Sequence, residues 1–110
     1  MEECNKWGKW YVETTKINGL RLDAVKHINA DFYKQWLKTL RENTKKELFT
    51  VGEYWSGDVS KLHRYITETE GEISLFDVPL HYNLSNASND ENYDLTQIFE
   101  HTLAKENSSK

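Results

Sequence analysis

Two short apolar runs, each closing on a single carboxylate, lie 30 residues apart: Gly19-Leu20-Arg21-Leu22-Asp23 and Thr50-Val51-Gly52-Glu53. Between them Phe32, Tyr33, Trp36, Leu37 and Leu40 fall at helical spacing, after Asn29 or Asp31 as a cap. A strand, a helix and a second strand in that length make a parallel, right-handed crossover. It is the unit that eight-fold repetition turns into a barrel of about 250 residues. Parallel neighbours would set the two strand ends side by side, about 4.8 Å apart, and project both carboxylates from the rim where such barrels keep their chemistry. Spacing alone does not separate chemistry from structure. Arg21 and Asp23 share one face of the first run, opposite Leu20 and Leu22. They are either a buried salt bridge or a working pair, because an unpaired charge removed from water is costly.

The rest of the chain repeats the alternation. A helix is expected from about Glu2 to Thr14, with Cys4, Trp7, Trp10 and Tyr11 as its buried stripe, and Asn18-Gly19 turns it into the first strand. Lys38, Arg41, Glu42 and Lys45 read as the solvated face of the second helix. The second strand is placed at Leu48 to Tyr54. Gly57-Asp58 then opens a third helix with Val59, Leu62, Tyr65 and Ile66 inward, closed by Glu70-Gly71-Glu72. A third strand is expected from Ile73 to Leu80, with Asp77 held structurally by hydrogen bonds and Pro79 at the strand end. Tyr82 to Tyr93 reads as loop, and Asp94 to Leu103 as a last helix with Leu95, Ile98, Phe99 and Leu103 inward. A polar tail, residues 106–110, follows.

With 110 residues the chain has material for one modest core and no second domain. Fourteen basic against eighteen acidic residues give a net charge of −4, which argues against a nucleic-acid partner. No apolar run is long enough to span a membrane. The first residues lack a basic segment followed by an apolar core, so no signal peptide is read and a cytoplasmic location is expected. The single Cys4 excludes an internal disulfide and reads as a packing residue.

The segments Gly19-Leu20-Arg21-Leu22-Asp23-Ala24-Val25-Lys26-His27 and Val51-Gly52-Glu53-Tyr54-Trp55 resemble two signature segments of the α-amylase family of glycoside hydrolases. Phe76-Asp77-Val78-Pro79-Leu80-His81-Tyr82 resembles the sixth-strand region of its bacterial liquefying-type and cytoplasmic members. The resemblance implies an α/β fold: part of a TIM (β/α)8 barrel, from the helix before the fourth strand through the sixth, with about three parallel strands and intervening helices. It implies retaining endo-hydrolysis of α-1,4-glucosidic bonds in starch, glycogen or malto-oligosaccharides. Asp23 matches the nucleophile, Glu53 the general acid/base and Arg21 the arginine that orients the nucleophile and keeps it ionised. Lys26 and His27 match sugar-contacting positions, and Tyr54 and Trp55, which follow the acid directly, either stack on a sugar ring or pack around the acid. In calcium-binding relatives the backbone carbonyl at the position of His27 is a metal ligand, so calcium is the implied cofactor. Asp77, His63, His81 and His101 receive no functional role.

The chain also departs from the family pattern. The earlier Asp…Asn-His segment and the later His-Asp segment, source of the third catalytic acid, are not in this sequence. The expectation is therefore a barrel fragment, inactive in isolation, whose remaining barrel is its natural partner. The alternatives are a non-catalytic α/β binding or interaction module derived from such a barrel, and an unrelated small α/β domain in which Arg21–Asp23 is merely a salt bridge.

Overall fold

Three short strands, β1 (Gly19–Leu22), β2 (Phe49–Gly52) and β3 (Ser74–Leu75), form one parallel sheet in the order β1-β2-β3. They belong to a computed structural model that describes residues 2–106. The register pairs Leu22 with Gly52, and Gly52 with Leu75. The residues just past those positions therefore leave the sheet together on one rim. Helix α1 (Glu2–Thr15) precedes the strands, α2 (Ala30–Thr44) links β1 to β2 and α3 (Val59–Glu68) links β2 to β3, so the alternation read from the sequence is the architecture. Asn29 caps α2 by accepting from the Asp31 N–H at 2.8 Å, and Asp58 caps α3 by accepting from the Ser60 N–H at 3.0 Å. Of the polar tail expected at residues 106–110, Glu106 ends a short helix and residues 107–110 lie outside the described residues.

The core lies between the sheet and the helices. Trp36, Leu37 and Leu40 of α2, Leu62, Tyr65 and Ile66 of α3, and Val25, Leu48, Ile73 and Leu75 of the strand segments pack into one cluster. This inward face of α2 and α3 matches the apolar spacing in the sequence. At the lower end of the sheet Arg41 joins the strands. Its guanidinium donates to the carbonyls of Glu47 (2.7 Å), Leu48 (3.1 Å) and Glu72 (3.0 Å), and it pairs with the Glu72 carboxylate. Arg41 is thus no member of a solvated face. Its long side chain reaches carbonyls that short parallel strands leave unpaired.

The buried face of α1 also differs from expectation. Gly8 and Val12 point inward, whereas Cys4, Trp7, Trp10 and Tyr11 are exposed. The reason is close approach to α2: a Cβ on Gly8 would lie 2.9 Å from Cζ2 of Trp36. The Trp36 indole N–H donates to the Cys4 carbonyl at 3.1 Å, which holds the two helices together at that point. Trp7 and Tyr11 stack on each other at 5.2 Å, on the outer side.

The C-terminal third departs most. The third strand ends at Leu75, and Val78–Asn89 is a helix, α4, with Pro79 in its first turn, where a missing N–H costs nothing. Asp77 is a cap rather than a strand residue. Its carboxylate accepts from the N–H groups of Leu80 (3.1 Å), Leu103 (3.2 Å) and Ala104 (2.8 Å), serving α4 and a short α5 (Leu103–Glu106) at once. Its structural role stands. The Asn- and Ser-rich stretch is largely helical, and in its last turn Ser88 and Asn89 donate back to the Ser85 carbonyl. The helix expected over Asp94–Leu103 is reduced to one 3-10 turn, Leu95–Gln97, followed by irregular chain. There Asn83 takes the carbonyls of Ile98 and Glu100, His101 has a positive φ, and Leu95 and Phe99 are exposed while Leu103 is buried.

The described residues contain no helix long and apolar enough to cross a membrane. The radius of gyration, 16.4 Å, exceeds the roughly 13 Å of a compact domain of this length. The outer edges of β1 and β3 have no strand partner among the described residues. This is the shape of a slice of barrel wall.

Candidate active site

The rim is built by backbone before any side chain is considered. The Glu53 N–H donates to the Leu22 carbonyl (2.8 Å), and the Val25 N–H donates to the Glu53 carbonyl (3.0 Å). Glu53 is therefore stitched between the two residues that flank Asp23-Ala24. Ala24 takes the left-handed conformation, φ 48°, which turns the chain sharply after Asp23 and drops Val25 into the core. Val25 packs where Gly52 has no side chain: a Cβ there would stand 3.3 Å from Val25 Cγ1 and 3.0 Å from Ile73 Cγ2. The glycine before Glu53 is what lets the two strand ends close up.

Arg21 then joins the two acids. Its Nη1 donates to Asp23 Oδ1 at 3.1 Å and its Nη2 to Glu53 Oε2 at 2.7 Å. Sequence spacing anticipated the first contact. The second, shorter one comes from the parallel register. The carboxylates differ in environment, with the Asp23 side chain 75% exposed and that of Glu53 28%. The charge on Asp23 also acts inward: Tyr33 has its phenol pushed up, first by burial and then by that negative charge. Phe76, just past β3, lies with its ring centroid 5.8 Å from the Arg21 guanidinium carbon.

Arg21 and Glu53 open into a cavity of about 350 Å³ whose wall includes Trp55, Phe76, Asp77, Val78 and His81. The Trp55 ring packs against His81 (5.3 Å) and Tyr82 (5.9 Å), which hold it on this side. Tyr54 turns the other way and packs on Tyr65 at 5.1 Å. With Lys26 it lines a separate cleft of about 530 Å³ that contains none of Arg21, Asp23 and Glu53. Lys26 donates to the Trp55 carbonyl at 3.1 Å, bracing the segment after Glu53, while His27 is exposed on neither cavity. The structure thus brings Arg21, Asp23, Glu53 and Trp55 together and leaves Lys26, His27 and Tyr54 to one side. Sequence reading assigned nothing to Phe76 and His81. Both lie in the segment Phe76–Tyr82, and the packing of β3 and α4 against the rim shows what they face.

The expected calcium can be tested against the donors present. A calcium ion takes six to eight oxygen ligands. Among the described residues no group of three or more His, Cys, Asp or Glu side chains is placed to hold a metal. A carbonyl at His27 is one donor, so these residues alone do not make the site.

Residues 1–109 match the family described as alpha amylase, catalytic domain. The chain is 52% identical over 105 residues to an alpha-amylase of Geobacillus stearothermophilus, covering 94% of this chain and 19% of that protein. It is 49% identical over 105 residues to a cytoplasmic alpha-amylase of Escherichia coli (strain K12), covering 94% of this chain and 21% of that one. A crystal structure of an Anoxybacillus alpha-amylase superimposes with a TM-score of 0.82 at 26% identity, over 98% of this chain and 23% of that chain. The chain spans about a fifth of the length of these relatives. Its three-stranded wall, with Asp23, Glu53 and Arg21 on one rim, belongs to the α-amylase catalytic-domain family of glycoside hydrolases.

Proposed function

We propose that this chain carries the nucleophile and the general acid/base of a retaining hydrolase of α-1,4-glucosidic bonds. The observation that carries the reading is the single guanidinium shared by Asp23 and Glu53. Retention needs two carboxyl groups about 5–5.5 Å apart, whereas inversion leaves room for a water at about 6.5–9.5 Å. Acids on adjacent nitrogens of one guanidinium favour the first. In the proposed first step Asp23 attacks the anomeric carbon as Glu53 passes its proton to the departing glycosidic oxygen, leaving a glycosyl ester on Asp23. In the second, Glu53 takes a proton from water, whose oxygen attacks the anomeric carbon and frees Asp23. Arg21 donates to the nucleophile's carboxylate and aims it. The more exposed Asp23 and the more sheltered Glu53 fit these assignments.

Trp55, fixed beside Glu53, is assigned to stack on a sugar, with Lys26, His27 and Tyr54 as more peripheral contacts. The glucan and the endo mode of attack rest on the family. A cytoplasmic location is supported by the Escherichia coli relative alone. Calcium held partly by the His27 carbonyl belongs to the same proposal, with its other donors to come from beyond these residues.

The test uses a full-length chimera in which this segment replaces the stretch it matches in the Geobacillus stearothermophilus relative. Glu53→Gln should nearly abolish starch cleavage yet still accumulate a sugar adduct from a maltosyl fluoride, whose leaving group needs little acid help. Asp23→Asn should form no adduct. Mass spectrometry of peptides should place the adduct on Asp23. An adduct on Glu53, one formed by Asp23→Asn, or a folded chimera that leaves starch intact would overturn the reading.

A further inference from the structure

We infer that Phe76 is a positioning residue for Arg21, holding the guanidinium between the two acids while one of them carries no charge. The inference rests on the roles proposed above for Asp23 and Glu53. Arg21 is held by three groups: the Asp23 carboxylate, the Glu53 carboxylate and the face of the Phe76 ring. The first two change charge during the reaction. Glu53 must be a neutral acid before it protonates the leaving oxygen, and Asp23 becomes a neutral ester once it carries the sugar. Each state removes one ionic tether from a long side chain that is 54% exposed. Attraction to an aromatic face depends on neither proton nor ester, and it acts within about 6 Å of the ring centroid. At 5.8 Å the Phe76 ring meets that condition.

Phe76 also borders the cavity that Trp55 and His81 line. Among the described residues its side chain stands outside the core cluster, so its contact with Arg21 is not a by-product of core packing there. Its backbone N–H donates to the Gly52 carbonyl at 3.4 Å, which ties it to the strand that delivers Glu53. The ring is therefore anchored to the same backbone as the acid/base, and Arg21 is referenced to both.

The experiment compares Phe76→Leu and Phe76→Tyr in the same full-length chimera, by steady-state kinetics on a malto-oligosaccharide and by urea unfolding. Phe76→Leu keeps apolar bulk and loses the aromatic face. Its kcat should fall roughly three- to thirty-fold, the range of a cation–π contact from exposed to desolvated, with KM and the unfolding midpoint little changed. Phe76→Tyr should restore kcat to within about twofold, since the ring face is kept. Should Phe76→Leu fail to fold, Phe76→Met takes its place. A parent-like kcat in Phe76→Leu, equal losses in Phe76→Leu and Phe76→Tyr, or a loss confined to KM would overturn the inference. Asp23→Asn and Glu53→Gln run alongside. If they still cleave starch the proposed roles fail, whereas if they are inactive and Phe76→Leu is unaffected, only this inference does.

Discussion

Replacing Gly52 by alanine adds a single methyl group at the most crowded point of the rim. The new Cβ would lie 3.0 Å from Ile73 Cγ2 and 3.3 and 3.4 Å from the two Val25 methyls. An alanine in a strand has a slightly better backbone propensity than glycine, a gain of about 0.5–1 kcal/mol if space allows. Here it does not. Ile73 and Val25 are 1% and 0% exposed, and both are β-branched, so each has one strongly preferred rotamer and nowhere to turn. Overpacking a tight core costs about 1–3 kcal/mol, which outweighs the propensity gain. The expected net loss is about 1–2 kcal/mol. Ile73 and Val25 must give way to accept the methyl, and Val25 is tied through its N–H to the Glu53 carbonyl, so the shift is carried to Glu53. Displacing a catalytic group by about 1 Å can cost on the order of a hundredfold in rate. In the full-length chimera, Gly52→Ala should therefore lower the urea-unfolding free energy by about 1–2 kcal/mol and kcat by at least about tenfold. Unchanged stability together with unchanged kcat would refute the claim that close packing at Gly52 sets the position of Glu53.

Tyr65 is buried, and its hydroxyl has no hydrogen-bond partner among the described residues. Tyr65→Phe in the chimera should therefore be neutral or stabilising by up to about 1 kcal/mol in urea unfolding, and a clear loss would show that the hydroxyl is satisfied there. The folded phenol is pushed up to about 12 by burial, above its ordinary 10.0, so its stabilising contribution is complete below pH 10 and is lost between pH 10 and about 12. Alkaline unfolding curves should accordingly fall less steeply for Tyr65→Phe over that window. For the 110-residue chain alone, light scattering should show self-association through the open edges of β1 and β3 and the exposed Trp7, Trp10 and Phe49, with no Glu53-dependent release of reducing sugar from starch. A monomeric, cooperative unfolding transition or measurable turnover would contradict it.

Much of this protein was legible in its residues because local physics carries the signal. Helical apolar spacing, the caps at Asn29 and Asp58, and a strand–helix–strand repeat of 30 residues specify parallel crossovers and deliver Asp23 and Glu53 to one rim. Those features act between near neighbours, so order along the chain suffices to read them. The long-range choices were not readable. Which face of α1 is buried depends on how closely Trp36 approaches Gly8, and a glycine carries no apolar signal of its own. Whether Asp77 ends a strand or caps two helices depends on Leu103 and Ala104, 26 and 27 residues away. Arg41 appears solvated in a helical pattern until the Glu47, Leu48 and Glu72 carbonyls arrive beside it. At the site, sequence placed Arg21 beside Asp23 and supplied the two acids. Only the parallel register carried Glu53 to the other arm of the same guanidinium, and only the exit of β3 set the Phe76 ring against it. Pairing and close contact are properties of three-dimensional neighbours, and those neighbours come from strands and helices that sequence spacing orders but does not bring into contact.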